Sequence, residues 1–160
     1  MSRAERLVNT LTLDKKYLNE KTNIWKLQEI VEEAINEVST IKIQFEYEVK
    51  VESNTIIFCN KDMLLSVLIN LICNAIEASN YFLLRASVLD NIVKIAIENP
   101  YFGSKLENDI FNLFVTTKKN GSGIGLSICS NLLEEAGSKL EFRQEQGKVN
   151  FDFHLPLAKI

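Results

Sequence analysis

A chain of 160 residues with 46% hydrophobic and 24% charged content has the length and apolar mass of one globular domain with a true core. Its net charge of -3 excludes a dedicated nucleic-acid binder, which would carry a basic excess. Cys59, Cys73 and Cys129 form no CxxC pair and only His154 could join them, so they read as small core residues in a reducing cytosol rather than as a zinc site.

Arg3 to Glu20 has the pattern of a helix with a thin apolar stripe of Leu7, Leu11 and Leu18, suited to docking on something outside this chain. Lys21-Thr22-Asn23 reads as a break. A second amphipathic helix is expected from Trp25 to Val38, with Trp25 or Leu27, Ile30, Val31, Ala34, Ile35 and Val38 inward. From Ile41 to Val51, apolar and charged residues alternate without a fault, which predicts a half-buried antiparallel strand. Thr55 to Cys59 predicts a short strand and Lys61 to Ser79 a long helix. Phe82 to Leu89 and Ile92 to Glu98 predict a hairpin around Asp90-Asn91. Pro100 to Asn120 is polar and irregular. Ser127 to Ala136 is helical, and Lys139 to Arg143 with Val149 to Leu155 close the chain as a hairpin. This order predicts an α+β fold: a two-layer sandwich, with helices on one face of a mixed, mostly antiparallel sheet. No apolar stretch is read as long enough to span a bilayer, because Ser66 and Asn70 interrupt Met63 to Ile72. Met1 to Arg6 lacks the apolar core of a signal peptide.

Two patterns carry chemistry. Gly121-Ser122-Gly123-Ile124-Gly125-Leu126 opens a helix, where closely approaching backbone N–H groups and the helix N-terminus favour an anion such as a polyphosphate. Leu126 stands where GxGxxG needs a glycine, and no Lys-Ser/Thr follows the last glycine, so the turn is neither a dinucleotide fingerprint nor a Walker loop. The second pattern lies on the apolar helix. Ser66, Asn70, Asn74 and Glu77, spaced four, four and three residues apart, share one stripe. Burying carboxamides there is costly unless they find partners. Asn74 could offer its oxygen to Mg²⁺, and Asn70 could donate to a phosphate or hold a metal-bound water.

Together, the stretch Asn70 to Ala78, the phenylalanine- and threonine-bearing stretch Ile110 to Lys118 and the glycine turn resemble the nucleotide-binding boxes of the GHKL superfamily. The likeness is nearest to the ATP-binding catalytic domains of bacterial sensor histidine kinases. The resemblance implies the Bergerat ATP-binding fold, with ATP between the asparagine helix and a lid. It makes Asn74 the Mg²⁺ ligand and Asn70 its phosphate-side companion. Gly121, Ser122, Gly123, Ile124, Gly125 and Leu126 would cradle the phosphates. Thr116, Thr117 and Lys118, or Lys119, would stand in the lid anchored by Phe111 and Phe114. Where these kinases carry Asp-x-Gly-x-Gly against adenine, this chain has Glu98-Asn99-Pro100-Tyr101-Phe102-Gly103, and either Glu98 or Asn99 would meet the adenine amino group. Pro100 replaces a residue with a backbone donor.

The implied activity is ATP-dependent transfer of the γ-phosphate to a histidine on a dimerisation domain absent from this chain. Residues 1–22 would end a dimerisation helix and residues 23–160 form the catalytic domain. The implied partners are ATP, Mg²⁺, that histidine-bearing domain in a homodimer, and a response regulator. The implied location is cytoplasmic, whether or not the whole protein is membrane-anchored, and the whole kinase would be a phosphoprotein. His154, on the last strand, reads as a structural or surface residue rather than the acceptor. Superfamily ATPases resemble one another in placing a glutamate where Asn70 stands. An amide is no base, so the resemblance favours phosphotransfer over hydrolysis. A nucleotide-sensing module without kinase output and an anti-sigma-factor-type serine kinase are the alternatives.

Overall fold

The computed structural model describes residues 22–41, 44–112 and 125–158. The described region begins with a strand where a break and a helix were expected. Thr22–Lys26 (β1) pairs antiparallel with Ile56–Asn60 (β3), Trp25 standing opposite Ile57. Thr22, Ile24 and Trp25 favour an extended chain, and the ladder to β3 lies beyond the reach of any local period. Helix α1 therefore starts later than expected and spans Leu27–Ser39, burying the expected stripe with Leu27, not Trp25, at its head. The Leu27 N–H, one of the donors a helix start leaves over, reaches the Thr55 carbonyl at 3.1 Å.

The second correction concerns direction. Glu46–Lys50 (β2) is an edge strand lying parallel to Tyr81–Leu89 (β4), not antiparallel, and its residues stay exposed. A parallel pair needs a long crossover, here through β3 and helix α2 (Lys61–Ser79). The alternation still orients the strand: Tyr47 stacks on the buried Phe82 ring at 5.4 Å with 9° between planes. β4 forms a hairpin with Ile92–Pro100 (β5), turning at Asp90, whose φ is 54°. After a 3-10 turn, Asn108–Phe111, and helix α3, Gly125–Glu135, the strands Glu141–Glu145 (β6) and Lys148–Pro156 (β7) finish a five-stranded sheet. Its order is β2-β4-β5-β7-β6, antiparallel except at β2–β4.

Helix α2 is the centre of the core and packs on β4, β5, α1 and α3. Its ends are fastened by two asparagines: Asn60 Oδ1 accepts from the Met63 N–H at 2.9 Å, and Asn80, left-handed at φ 57°, donates its N–H to Ile76. Each large apolar side chain it buries, Leu64, Leu68 and Ile72 among them, contributes roughly 1.5–3 kcal/mol. Contrary to the expectation from sequence, this helix is long and apolar enough to cross a membrane. However, 72% of its most apolar window is buried inside the domain, as befits a core helix. The three cysteines are buried thiols outside any disulfide, and desolvation pushes the Cys59 thiol up to about 12. His154 is exposed on β7, beside Lys94 in the register.

Candidate functional site

Along α2 the polar stripe rises from the core toward the surface. Ser66 and Asn70 are buried, Asn74 is half-buried and Glu77 is exposed. Asn70 is only 1% exposed, and its Nδ2 donates to the Ser66 carbonyl at 2.8 Å. A carbonyl can only accept, so this bond fixes which way round the amide sits. The oxygen that is left, Oδ1, is buried and has no hydrogen-bond partner among the described residues. An unsatisfied acceptor of this kind costs about 1–3 kcal/mol. Of the two roles open to Asn70, the geometry favours receiving a water proton or facing a cation over donating to phosphate. The chemistry of two amide oxygens one helical turn apart, from Asn70 and Asn74, suits a hard divalent ion.

Strand β5 separates Glu98 from Asn99. Val93, Ile95, Ile97 and Asn99 face the helices and are buried, whereas Glu98 projects from the other side of the sheet. There its carboxylate is held by Arg85 at 2.9 Å and Lys148 at 3.4 Å. The structure thus does not bring Glu98 together with the asparagine stripe, and of the two adenine candidates only Asn99 lies on that side. Asn99 is 4% exposed, and its Nδ2 donates to the Pro100 carbonyl at 2.7 Å, turning Oδ1 away from that carbonyl. A carboxylate here would set two acceptors against each other, which gives the amide a local reason.

The loop after β5 is pinned rather than glycine-loose. The Tyr101 N–H reaches the Gly147 carbonyl at 2.8 Å, and Gln144 accepts from the Leu106 N–H at 2.7 Å while donating to Ser104. Phe111 rests edge-on against Phe142 and Phe151, so it anchors to the helix side of β6 and β7. Gly125, buried, is the first residue of α3, followed by half-buried Leu126. One turn on, the Cys129 thiol lies 3.9 Å from the Val67 carbonyl, so the start of α3 stands against the same helix that carries the asparagines. Phe114, Thr116, Thr117, Lys118, Lys119, Gly121, Ser122, Gly123 and Ile124 lie outside the described residues.

The fold agrees with what is known of similar proteins. The family described as histidine kinase-, DNA gyrase B- and HSP90-like ATPase matches residues 59–159. The chain belongs to this family. Within it, the chain is 30% identical over 124 residues to the sensory histidine kinase/phosphatase NtrB of Rhizobium meliloti, covering 64% of this chain and 32% of that protein. It is 23% identical over 154 residues to sporulation kinase D of Bacillus subtilis, covering 91% and 30%. It spans about a third of the length of these curated relatives. Among solved structures, the catalytic domain of histidine kinase ThkA superposes with a TM-score of 0.73 at 27% identity, covering 85% of this chain and 95% of that one. Full-length ShkA in complex with AMPPNP gives 0.76 at 22% identity, covering 99% and 35%, a likeness of fold. The fold is that of histidine kinase catalytic domains.

Sequence reasoning missed two features of this candidate site. The Ser66 carbonyl that orients Asn70 is a backbone group and leaves no compositional trace. Gln144 reaches its loop across the sheet, from a strand where only alternation was legible.

Proposed function

We propose that this chain is the ATP-binding catalytic domain of a two-component sensor histidine kinase. In this reading it moves the γ-phosphate of ATP to a histidine on a dimerisation domain outside the chain. The observation that carries the reading is the buried amide of Asn70. At that position it offers an oxygen but no base, so a water beside it stays unactivated and a protein nucleophile is the better acceptor. Asn74 and Asn70 would hold Mg²⁺ through their amide oxygens, and the ion supplies charge neutralisation on the phosphates. Asn99 Oδ1 accepts from the adenine amino group. The N-terminal amides of α3 from Gly125 and Leu126, together with Gly121, Ser122, Gly123 and Ile124, take the phosphate oxygens. Thr116, Thr117 and Lys118 complete the phosphate contacts from the lid. Catalysis then rests on positioning and on donors aimed at the charge that develops during transfer.

In the same reading, residues 1–22 end the dimerisation helix and residues 23–160 are the catalytic unit. The whole kinase works in the cytoplasm as a homodimer, on a cognate response regulator. Calorimetric titration of the chain with Mg-ATP and Mg-ADP, beside Asn74→Ala, tests this. Micromolar binding of both nucleotides, with Mg-ATP weakened at least tenfold by Asn74→Ala, is expected. Absence of nucleotide binding would end the kinase reading, and an unchanged Asn74→Ala would remove the metal assignment.

A further inference from the structure

Away from the asparagine stripe, strand β2 closes the five-stranded sheet on one side, and among the described residues no strand pairs with its outer edge. The Glu46 N–H donates to the Asn80 carbonyl at 2.9 Å, so Glu46, Glu48 and Lys50 turn their backbone groups toward β4. Backbone groups alternate along a strand, and the N–H and C=O groups of Tyr47 and Val49 therefore point outward along the edge. A row of this kind is a template for another strand. The side chains of Tyr47 and Val49 lie on the helix side, where Tyr47 stacks on Phe82. Helix α2 packs on β4 and β5, inward of the edge, and Tyr47 and Val49 stay 48% and 37% exposed.

We propose that β2 pairs antiparallel with β2 of a second copy of this chain, joining two sheets across a two-fold axis. Charge sets the register. With Val49 opposite Val49 of the other copy, Glu48 faces Lys50 twice over and Tyr47 faces Val51. Centring the pair on Tyr47 opposes Glu46 to Glu48, and centring it on Glu48 or Lys50 sets a charge against itself. At the Val49 register, the backbone groups that exchange hydrogen bonds are those of Tyr47, Val49 and Val51, the ones the edge leaves outward. Lys50 lies opposite Arg85 in its own sheet and makes no ion pair among the described residues, so a carboxylate from the other copy is its complement. Glu48 accepts from the Tyr81 hydroxyl at 3.3 Å through Oε1, and its second oxygen can accept from the lysine. On the helix side, Tyr47, Val49 and Val51 of both copies make one apolar row. A five-residue pairing buries less than the roughly 1,200 Å² of a stable interface, so the dimer is weak and concentration-dependent. No residue of the asparagine stripe takes part. The contact is therefore independent of the phosphotransfer reading, and it is separate from the dimerisation helix read for residues 1–22.

Amide hydrogen exchange, followed residue by residue on the full chain, tests the pairing because it reads β2 itself, whatever joins two copies elsewhere. The Tyr47 and Val49 amides should exchange at least threefold more slowly in millimolar chain than after hundredfold dilution. Glu48 and Lys50, whose N–H groups face β4, should keep one rate. Glu48→Lys and Lys50→Glu each place like charges opposite one another in the pair, and each should abolish the concentration dependence. Combining both changes in one chain, or mixing the two single variants, restores opposite charges and should restore the dependence. Thermal unfolding confirms that the variants fold. The proposal is overturned if Tyr47 and Val49 exchange at the same rate at both concentrations. Strong protection at both would show that another part of the chain covers the edge, and fast exchange at both that nothing does. A single charge change that leaves the dependence intact, or a double change or mixture that fails to restore it, would also overturn it.

Discussion

Replacing Asn70 by leucine separates what this side chain costs the fold from what it contributes to a ligand. Leucine keeps the branch at Cγ and the number of heavy atoms but removes both the orphan oxygen and the donor to Ser66. Losing one amide–carbonyl bond costs about 1 kcal/mol, whereas removing a buried unsatisfied acceptor returns about 1–3 kcal/mol. The ligand-free variant is therefore expected to be between equally stable and about 2 kcal/mol more stable than the parent. Its response to nucleotide moves the other way. At Mg-ATP one hundred times above Kd, the parent gains about 2.7 kcal/mol by mass action. Loss of a contact that raises Kd tenfold leaves about 1.4 kcal/mol of that gain, and a hundredfold rise leaves about 0.4 kcal/mol. Urea unfolding followed by far-UV circular dichroism, with and without Mg-ATP, reads both numbers from one variant. A ligand-free stability lowered by more than about 2 kcal/mol would refute the reasoning, because the oxygen would then have had a protein partner. A full nucleotide increment in the variant would show that the oxygen faces no ligand.

Asn99→Ala is expected to weaken ATP binding about tenfold by calorimetry, while Glu98→Gln, on the other face of the sheet, leaves it within about twofold. The reverse order would place adenine on the outer face. The Cys59 thiol, raised from 9.0 to about 12 by burial, stays neutral in the folded chain while the unfolded chain ionises. The unfolded state then binds fewer protons, so stability should fall with pH between about 9 and 12, with a slope approaching 1.4 kcal/mol per pH unit. Urea midpoints measured across that range should show a slope that Cys59→Ala flattens. Removing the cap of α2 with Asn60→Ala should cost about 1 kcal/mol, seen as a lower urea midpoint at unchanged dependence on urea.

Much of this domain is legible residue by residue. The run from Lys61 to Ser79 needs no tertiary information to be a helix, since it is capped by Asn60, almost wholly apolar and free of glycine and proline. The hairpin at Asp90-Asn91 and the inward faces of β5 and β7 follow from period-two alternation. The same alternation that shows Ile41 to Val51 as a strand is silent on direction, and a parallel β2–β4 pair emerged where an antiparallel one was expected. Trp25 moved from helix to strand because its partner Ile57 lies on the far side of α1 in the chain, and ladder partners leave no local signature.

The candidate site divides in the same way. Sequence by itself determined the asparagine stripe, because residues four apart on a helix share a face whatever surrounds them. It left Glu98, the end of the expected strand, and Asn99 as candidates for one contact without separating them by side. Only the tertiary structure decided which side faces α2 and which carries the Arg85–Glu98–Lys148 ion pairs. Tertiary structure also decided that the Asn70 oxygen is buried and left over. Local periodicity fixes the direction of a side chain relative to its own backbone. Packing alone fixes what stands at the other end, since the partner comes from a distant part of the chain.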